Sequence, residues 1–284
     1  MKEINSVVLG DCVQFMGTLP DNCIDLVVTS PPYAEQRSAT YGGISEDDFP
    51  EWITSVAKEI YRILKPSGSF IMNIKENVNS GARSTYVMKS VLALSEVFVW
   101  NETYIWHKTN PFPTGSKKRL KDGFEYCYAF SKTTDYKFNP DSVLVKSDSK
   151  YLESEKRRKN TGEHNTNNAS GMNMSSRPCS DYVRPSNVIS FPTDSANHDH
   201  PATFPIELPM FFIKLLSDEG DIVYDPFCGS GTTLVAADSL NRKYIGTDIV
   251  SEYVDIARNR LLCEKYGIVQ RRSSKVDDEQ FKLL

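Results

Sequence analysis

The sequence predicts an α/β protein, and three observations support this fold class. Ile24–Val28 is a short, β-branched apolar run that ends at a turn, which is typical of a buried strand. A helical repeat of apolar residues then runs from 49 to 64, and a second strand pattern spans Ser69–Ile74. A strand, a helix and a strand in this order predict a right-handed parallel crossover. After Asn187 the same alternation returns, which indicates a second αβ half.

The boundaries of these elements follow from local signals. Ser45 and Asp48 resemble a helix start just before the apolar repeat, and Lys65-Pro66-Ser67-Gly68 is expected to end that helix. Other predicted elements of the first half are a helix near Tyr86–Phe98 and strands near Val99–Trp106 and Tyr126–Phe130. Those of the second half are helices at Pro209–Leu216 and Ser251–Lys265 and strands at Asp221–Tyr224 and Tyr244–Asp248.

The middle of the chain differs in pattern and in charge. From 139 to 186 the sequence is polar, rich in Asn, Ser, Lys and Arg, and without a sustained period. Residues 107–186 hold 15 Lys and Arg against 9 Asp and Glu, a net +6, whereas the remainder carries 18 against 28, a net −10. We therefore expect two halves of one α/β domain at 1–138 and 187–284, with a basic insertion at 139–186 that is suited to recognise a polyanionic target. A solvated, lysine-rich loop is the alternative.

Composition excludes several classes. With 284 residues, 39% hydrophobic and 25% charged, the chain has the values of a soluble globular protein. Its first residues lack a cleavable apolar region, and no stretch reaches the roughly 18 apolar residues of a membrane span, so a cytoplasmic location is expected. Six cysteines without a C-x-x-C pair, together with only four histidines, predict neither a metal site nor a disulfide framework.

A glycine-rich turn indicates a nucleoside ligand. In DIVYDPFCGSGTT, Gly229 and Gly231 follow a predicted strand and open a helix, where glycine lets a ligand approach the backbone. Leu234 stands where a dinucleotide fingerprint needs glycine, and no phosphate-binding Lys follows, which disfavours a pyrophosphate. Asp248, nineteen residues after Gly229, is placed to bind ribose hydroxyls. An adenosine without phosphates, and hence S-adenosylmethionine, fits this set. Alternatively, Asp248 caps the following helix.

Several blocks in a fixed order carry a resemblance to a known family. They are GDCVQFMGTLPDNCIDLVVTSPPY, LKPSGSF, WHKTNPFPTGSKKRL, FEYCYAFSK, HPATFPIELPMFFIKLLSDEGDIVYDPFCGSGTT and YIGTDI. Together they resemble the β group of DNA amino-methyltransferases, in which the catalytic motif precedes the cofactor motif, over nearly the whole chain. The resemblance implies a circularly permuted Rossmann-like methyltransferase sheet that uses S-adenosylmethionine. The catalytic and cofactor loops then lie at carboxyl ends of parallel strands, where they can meet.

The resemblance also implies roles for individual residues. The cofactor-binding residues would be Asp11, Cys12, His200, Phe204, Asp225, Phe227, Gly229, Gly231 and Asp248. Of these, Asp248 would bind the ribose, the Asp11 segment would lie by the adenine, and His200 would border the methionine part. Phe227 has an alternative role as a core residue, and His200 as a packed surface histidine.

The chemistry of the SPPY tetrapeptide suits an amine that is a poor nucleophile. The lone pair of an exocyclic base amine is delocalised into the ring, and acceptors for both N–H groups favour the pyramidal nitrogen needed for attack. The Ser30 hydroxyl and the Pro31 carbonyl are suited to accept these bonds, and the prolines Pro31 and Pro32 make the loop rigid. Tyr33 offers a face on which an extruded base stacks. A simple strand-terminating turn is the alternative.

Ser30 of the tetrapeptide favours one methylation target over the others. Within the family, an aspartate in this position usually accompanies adenine-N6 modification, whereas Ser30 resembles mainly cytosine-N4 enzymes. Cytosine N4 is therefore the expected target and adenine N6 the alternative. RNA or protein amide methylation, or a regulator without catalysis, is less favoured. A cytosine-C5 interpretation based on Glu76-Asn77-Val78 and Pro178-Cys179 fails because the two motifs stand in reversed order.

Two clusters of basic residues are expected to contact the phosphates of double-stranded DNA. They are Lys117, Lys118 and Arg119, and Lys156, Arg157, Arg158 and Lys159. If the chain modifies DNA for protection, a restriction endonuclease would act on the same sequence without binding this protein.

Overall fold

The computed structural model describes residues 3–35, 43–113, 118–147, 181–193 and 204–266. Its strands are β1 (Ser6–Leu9), β2 (Ile24–Thr29), β3 (Leu64–Ile74), β4 (Val78–Asn79), β5 (Ala82–Arg83), β6 (Val99–Lys108), β7 (Phe124–Ser131), β8 (Val145–Lys146), β9 (Tyr182–Val183), β10 (Val188–Phe191), β11 (Ile222–Asp225) and β12 (Lys243–Asp248). Its helices are α1 (Cys12–Met16), α2 (Phe49–Ile63), α3 (Tyr86–Ser95), α4 (Glu207–Leu216), α5 (Thr232–Ser239) and α6 (Ser251–Tyr266), and a 3-10 turn spans Pro140–Val143.

Within these described ranges, eight strands form one sheet in the order β1-β12-β11-β2-β3-β7-β6-β10. β7 is antiparallel to β3 and β6, and all the other neighbours are parallel. The predicted α/β class is therefore confirmed. The carboxyl ends of β12, β11, β2, β3 and β6 lie at one edge of the sheet, together with the amino end of β7. We call this edge the carboxyl edge.

Helices cover both faces of the sheet. α1, α2 and α3 share one buried cluster with Val27, Phe70 and Tyr224 of the strands. Leu26 and Val223 are also buried, and strand alternation turns them toward the opposite face. There α4 contacts β2, and α5 contacts β11. Because both of its faces are covered, β2 is buried along its whole length, as its continuous apolar pattern predicts.

The first long helix ends just before Lys65–Gly68, as predicted, but the strand that follows begins earlier than predicted. α2 ends at Ile63, and β3 begins at Leu64, so the Lys-Pro-Ser-Gly segment lies inside the strand. The pairing of β2 with β3 changes register here, and the ammonium of Lys65 lies 2.8 Å from the carboxylate of Asp25 in β2. A side chain at Gly68 would come within 3.0 Å of the Asp25 carbonyl oxygen. The strand therefore starts at Leu64, and Lys65–Gly68 lie at its change of register with β2.

Other differences concern short elements at the borders. The edge strands β1 and β10 and the five-residue helix α1 were not predicted, since four or five residues carry little periodicity. α3 ends at Ser95 rather than near Phe98. Asp48 stands at the α2 N-cap without a side-chain capping bond, and its carboxylate accepts from the Ser45 hydroxyl at 2.6 Å instead.

The chain divides into two compact units. One comprises Met1–Asn139 with Asn187–Leu284, and the other comprises Pro140–Ser186. In the second unit, β8 pairs with β9 in antiparallel fashion, and Arg184 lies 3.3 Å from Asp141. A role of this unit in target recognition remains a prediction.

The described part of the chain contains neither a membrane-crossing helix nor a metal cluster. None of the helices there is both long enough and apolar enough to cross a bilayer. Among the same residues, no group of three or more His, Cys, Asp or Glu side chains is arranged to hold a metal ion.

Candidate active site

The SPPY loop, residues 30–33, and the glycine-rich turn, residues 226–231, leave neighbouring strands. β2 and β11 are adjacent and parallel, with Thr29 and Asp225 as their last residues. The Thr29 hydroxyl donates to Asp225 Oδ1 at 2.6 Å, and both groups are buried. Two segments 196 residues apart in the chain therefore meet at the carboxyl edge.

The Asp225 carboxyl organises this meeting point. Its side chain is 2% exposed, and burial raises its pKa to about 6 despite hydrogen bonds from Thr29 and Thr233 that lower it. The backbone N–H of Phe227 also donates to Oδ1, at 3.1 Å. One carboxyl oxygen thus joins the end of β2 to the first residues of the glycine-rich turn.

The two glycines of the turn serve different purposes. Gly231 has a φ of +81°, and a Cβ there would lie 2.8 Å from the Cβ of Ala257, so its absence lets α6 pack closely. Gly229 has a φ of +49°, yet a Cβ there would meet no atom within 4 Å. The open space beside Gly229 is where a ligand has access to the backbone.

Asp248, the last residue of β12, has a carboxylate that is 3% exposed. One of its oxygens accepts from the N–H of Gly229 at 3.0 Å, and the other accepts from the N–H of Val250 at 2.9 Å. The second bond comes from the residue just before α6. The two backbone donors hold the carboxylate beside the glycine-rich turn.

Asp11 and Cys12 lie beside Asp248. The N–H of Gly10 donates to the Asp248 carbonyl oxygen at 2.9 Å, which places the start of α1 at the carboxyl edge. Asp11 is the N-cap of α1 and accepts from the N–H of Gln14 at 2.9 Å. Burial raises the pKa of the Cys12 thiol to about 12, and the charges of Asp11 and Asp248 act in the same direction. This corner of the site carries negative charge.

The remaining cofactor candidates are less tightly defined. The centre of the Phe227 ring lies 5.5 Å from that of Trp52 on α2. Phe227 therefore packs against the core, although its side chain is only partly buried. Phe204 is half-buried, three residues before α4. His200 lies outside the described residues.

The residues of the SPPY loop differ in how far they are buried. Ser30 and Pro32 are half-buried, whereas Pro31 is buried. The Tyr33 hydroxyl donates to Glu125 Oε2 at 3.1 Å. Burial, followed by the negative charge of Glu125, raises the pKa of the Tyr33 hydroxyl well above its usual value. The phenol therefore stays neutral and keeps its proton.

Three charged residues at this site were not identified from the sequence. Glu125 lies near the amino end of β7, Lys108 ends β6, and Lys75 follows β3, all at the carboxyl edge. Lys108 Nζ donates to Glu125 Oε1 at 2.6 Å, and Lys75 Nζ lies 4.0 Å from the same oxygen. A usable signal was present, because a single carboxylate inside the apolar run FEYCYAF needs a buried partner.

The basic clusters lie only partly within the described residues. Lys118 is exposed. Arg119 forms an ion pair with Asp122 at 2.6 Å. Lys117 and the whole of Lys156–Lys159 fall outside the described ranges, so their role as DNA contacts remains a prediction.

Because the SPPY loop and the glycine-rich turn leave adjacent strands of a mostly parallel sheet covered on both faces, the fold and site define a Rossmann-like methyltransferase. A family model described as DNA methylase, covering N6 and N4 methyltransferases, matches residues 24–259. The chain belongs to this family.

Relatives with known names span nearly the whole chain. The orphan methyltransferase M.BamHII of Bacillus amyloliquefaciens is 34% identical over 93% of this chain and 94% of its own length. The Type II methyltransferase M.PvuII of Proteus hauseri is 30% identical over 90% of this chain and 83% of its own length. The DNA adenine methyltransferase YhdJ of Escherichia coli K12 is 28% identical over 91% of this chain and 83% of its own length.

Solved structures share the fold. The PvuII DNA methyltransferase, described as cytosine-N4-specific, superposes with a TM-score of 0.70 at 27% identity, covering 95% of this chain and 88% of that one. A DNA modification methylase of Thermus thermophilus, solved with S-adenosylmethionine, gives a TM-score of 0.60 at 22% identity, covering 92% of this chain and 94% of that one.

Proposed function

We propose that this DNA methyltransferase transfers a methyl group from S-adenosylmethionine to the exocyclic N4 of a cytosine flipped out of duplex DNA. The chain belongs to the N6/N4 DNA methylases, which depend on this cofactor. The observation that carries the proposal is the bond from Thr29 to Asp225, since it joins the strand before Ser30 to the cofactor turn. The likeness to a cytosine-N4-specific enzyme supports the choice of base.

The residues of the glycine-rich turn fit S-adenosylmethionine. When bound, this cofactor supplies a methyl group on a positively charged sulfur. The open space beside Gly229 admits a ligand to the backbone, and the turn lacks the features of a pyrophosphate site. Asp248 would hold the ribose hydroxyls, and Asp11 with Cys12 would border the adenine. The negative charge of this corner also favours a cation.

The SPPY loop would prepare the base amine. The Ser30 hydroxyl and the carbonyl of Pro31 would accept hydrogen bonds from the two N–H groups of the amine, which favours a pyramidal nitrogen with an available lone pair. The fixed φ of proline holds that carbonyl in place. Tyr33 would stack on the base. Orientation and polarisation would then favour direct displacement without a covalent enzyme intermediate: the nitrogen would bond to the methyl carbon as the carbon–sulfur bond breaks, and the methylated nitrogen would release one proton to solvent.

Adenine N6 is the second candidate target. The DNA adenine methyltransferase YhdJ is 28% identical to this chain, so the family relationship by itself is compatible with either base. Ser30 in the tetrapeptide favours cytosine, because aspartate there usually accompanies adenine modification. RNA or a protein amide as substrate, or regulation without catalysis, has no comparable support.

The proposed biological role is modification in a restriction-modification system. Of the relatives named above, M.PvuII is a Type II methyltransferase by name, and M.BamHII is an orphan methyltransferase by name. We propose that Lys117, Lys118, Arg119 and Lys156–Lys159 contact DNA phosphates, and that a cognate endonuclease acts on the same sequence.

The decisive experiment identifies the methylated base. Purified protein is incubated with labelled S-adenosylmethionine and unmethylated duplex DNA of mixed sequence, and the digested nucleosides are identified by mass spectrometry. N4-methylcytosine is expected. N6-methyladenine would contradict the choice of base, and 5-methylcytosine would contradict the mechanism.

Variants separate catalysis from cofactor binding. Ser30→Ala is expected to lower transfer by about 100-fold or more while cofactor affinity stays near that of the wild type. Asp248→Ala should weaken cofactor binding first, by about tenfold, because it removes a carboxylate acceptor. Calorimetric titration with S-adenosylmethionine measures both affinities. Equal losses of affinity would contradict this division of roles.

A further inference from the structure

A buried carboxylate stands behind the Tyr33 ring. Tyr33 Oη donates to Glu125 Oε2 at 3.1 Å, while Lys108 Nζ donates to the other oxygen, Oε1, at 2.6 Å. Lys75 Nζ lies 4.0 Å from Oε1. Each carboxylate oxygen therefore has its own donor. The arrangement connects the loop after β2 with the adjoining ends of β6 and β7. Tyr33 and Glu125 are 92 residues apart in the chain.

This ion pair is costly to bury, and the sheet does not require it. The side chains of Lys108 and Glu125 are 10% and 9% exposed, so both charges have lost most of their hydration. Replacing such a pair with apolar residues is often neutral or stabilising, so the pair is weak evidence for a stabilising role. What a buried pair does provide is a carboxylate held in one place. Lys108 is held in turn, with its ammonium 5.1 Å from the centre of the Trp106 ring.

A fixed acceptor restricts the Tyr33 ring. The hydrogen bond at the far end of the ring opposes rotation about the first side-chain torsion, and it restrains the ring plane through the preference of a phenol O–H to lie in that plane. A ring already held in its working orientation saves the ordering cost that a base would otherwise meet on stacking. The phenol also remains a donor, because its pKa is raised by burial and by the charge of Glu125.

We propose that Glu125, held by Lys108, is a positioning residue that fixes the Tyr33 ring in the orientation on which the target base stacks. This role rests on the proposed function, in which Tyr33 receives the flipped base. Glu125 acts through Tyr33 and touches neither the base nor the cofactor.

A double-mutant cycle tests the coupling. Tyr33→Phe keeps the ring and removes the donor. In Glu125→Gln the single amide oxygen is drawn to Lys108, which has only donors, so Tyr33 loses its charged acceptor. The rate of a single turnover is measured with labelled S-adenosylmethionine and unmethylated plasmid DNA, both saturating. Each variant should lose about tenfold, the size of one hydrogen bond to a charged group, and the double variant should lose no more than either.

Two further measurements exclude a general structural effect. Asp25→Asn is the matched control, because Asp25 is also a buried carboxylate paired with a lysine, at 2.8 Å from Lys65, but near the amino end of β2. It should keep the wild-type rate. Cofactor affinity, measured by calorimetry, should be unchanged in all the variants that retain the fold.

The possible results distinguish the two proposals. If the wild type labels no DNA, the proposed function fails, and the stacking role fails with it. If the wild type is active but the two losses multiply to about 100-fold, or Tyr33→Phe keeps the full rate, only the positioning role of Glu125 is overturned. Tyr33→Phe retains both charged residues, so this test remains decisive even if Glu125→Gln does not fold.

Discussion

Asp225→Asn is expected to make the protein without cofactor more stable at neutral pH. The wild-type carboxyl is 2% exposed, and burial raises its pKa from 3.8 to about 6. Ionised Asp225 is thus favoured more in the unfolded chain than in the folded one. Asparagine has the same shape and carries no charge. Its oxygen can keep the bonds from Thr29 and from the N–H of Phe227, since both go to Oδ1 in the wild type.

The magnitude follows from the shift in pKa. Because the pKa of Asp225 is higher in the folded protein, the protonated carboxyl contributes to stability. This contribution is fully present below pH 3.8 and is lost as pH rises through about 6. A shift of this size corresponds to about 3 kcal/mol of unfolding free energy in total. About half of that is lost between pH 5 and pH 8, so the advantage of the variant should grow by about 1.5 kcal/mol over this range.

Urea unfolding of the wild type and Asp225→Asn at pH 5 to 8 measures this difference. Taking the difference cancels the titration of groups that the two proteins share. Asp47→Asn is the control for the loss of one negative charge, because the Asp47 side chain is 95% exposed. A constant difference for Asp225→Asn, or one that falls as pH rises, would refute the reasoning.

Two other predictions concern the glycine-rich turn and the basic insertion. Gly231→Ala should cost about 3 kcal/mol of stability in urea unfolding, because its φ is +81° and the new Cβ would lie 2.8 Å from Ala257. Gly229→Ala should cost only about 1 kcal/mol, since the space there is open. Equal costs for the two variants would contradict the different purposes of the two glycines. Neutralising Lys156–Lys159 should weaken DNA binding and lower the slope of log affinity against log salt by about 0.9 for each DNA phosphate that the protein no longer neutralises. An unchanged slope would remove this segment from the DNA-binding surface.

Local pattern was enough to predict most of the catalytic scaffold. The continuous apolar run of β2, the helical repeat of α2 and the strand around Phe70 are properties of neighbouring residues, and each was found close to its predicted position. The glycine-rich turn was equally predictable, because a strand, two glycines and a helix lie within one short segment. The prediction was less exact where another strand decides the boundary, since β3 begins beside β2 at Leu64, before the predicted Ser69.

The sequence by itself determined the α/β class, the family and the positions of the SPPY loop and the glycine-rich turn, because these are encoded in short, contiguous patterns. Only the tertiary structure decided which distant side chains meet there. The bond between Thr29 and Asp225 depends on β2 lying next to β11, and the bond between Tyr33 and Glu125 depends on an antiparallel β7. Strand order is set by how helices and strands pack together as a whole, so no local pattern contains it.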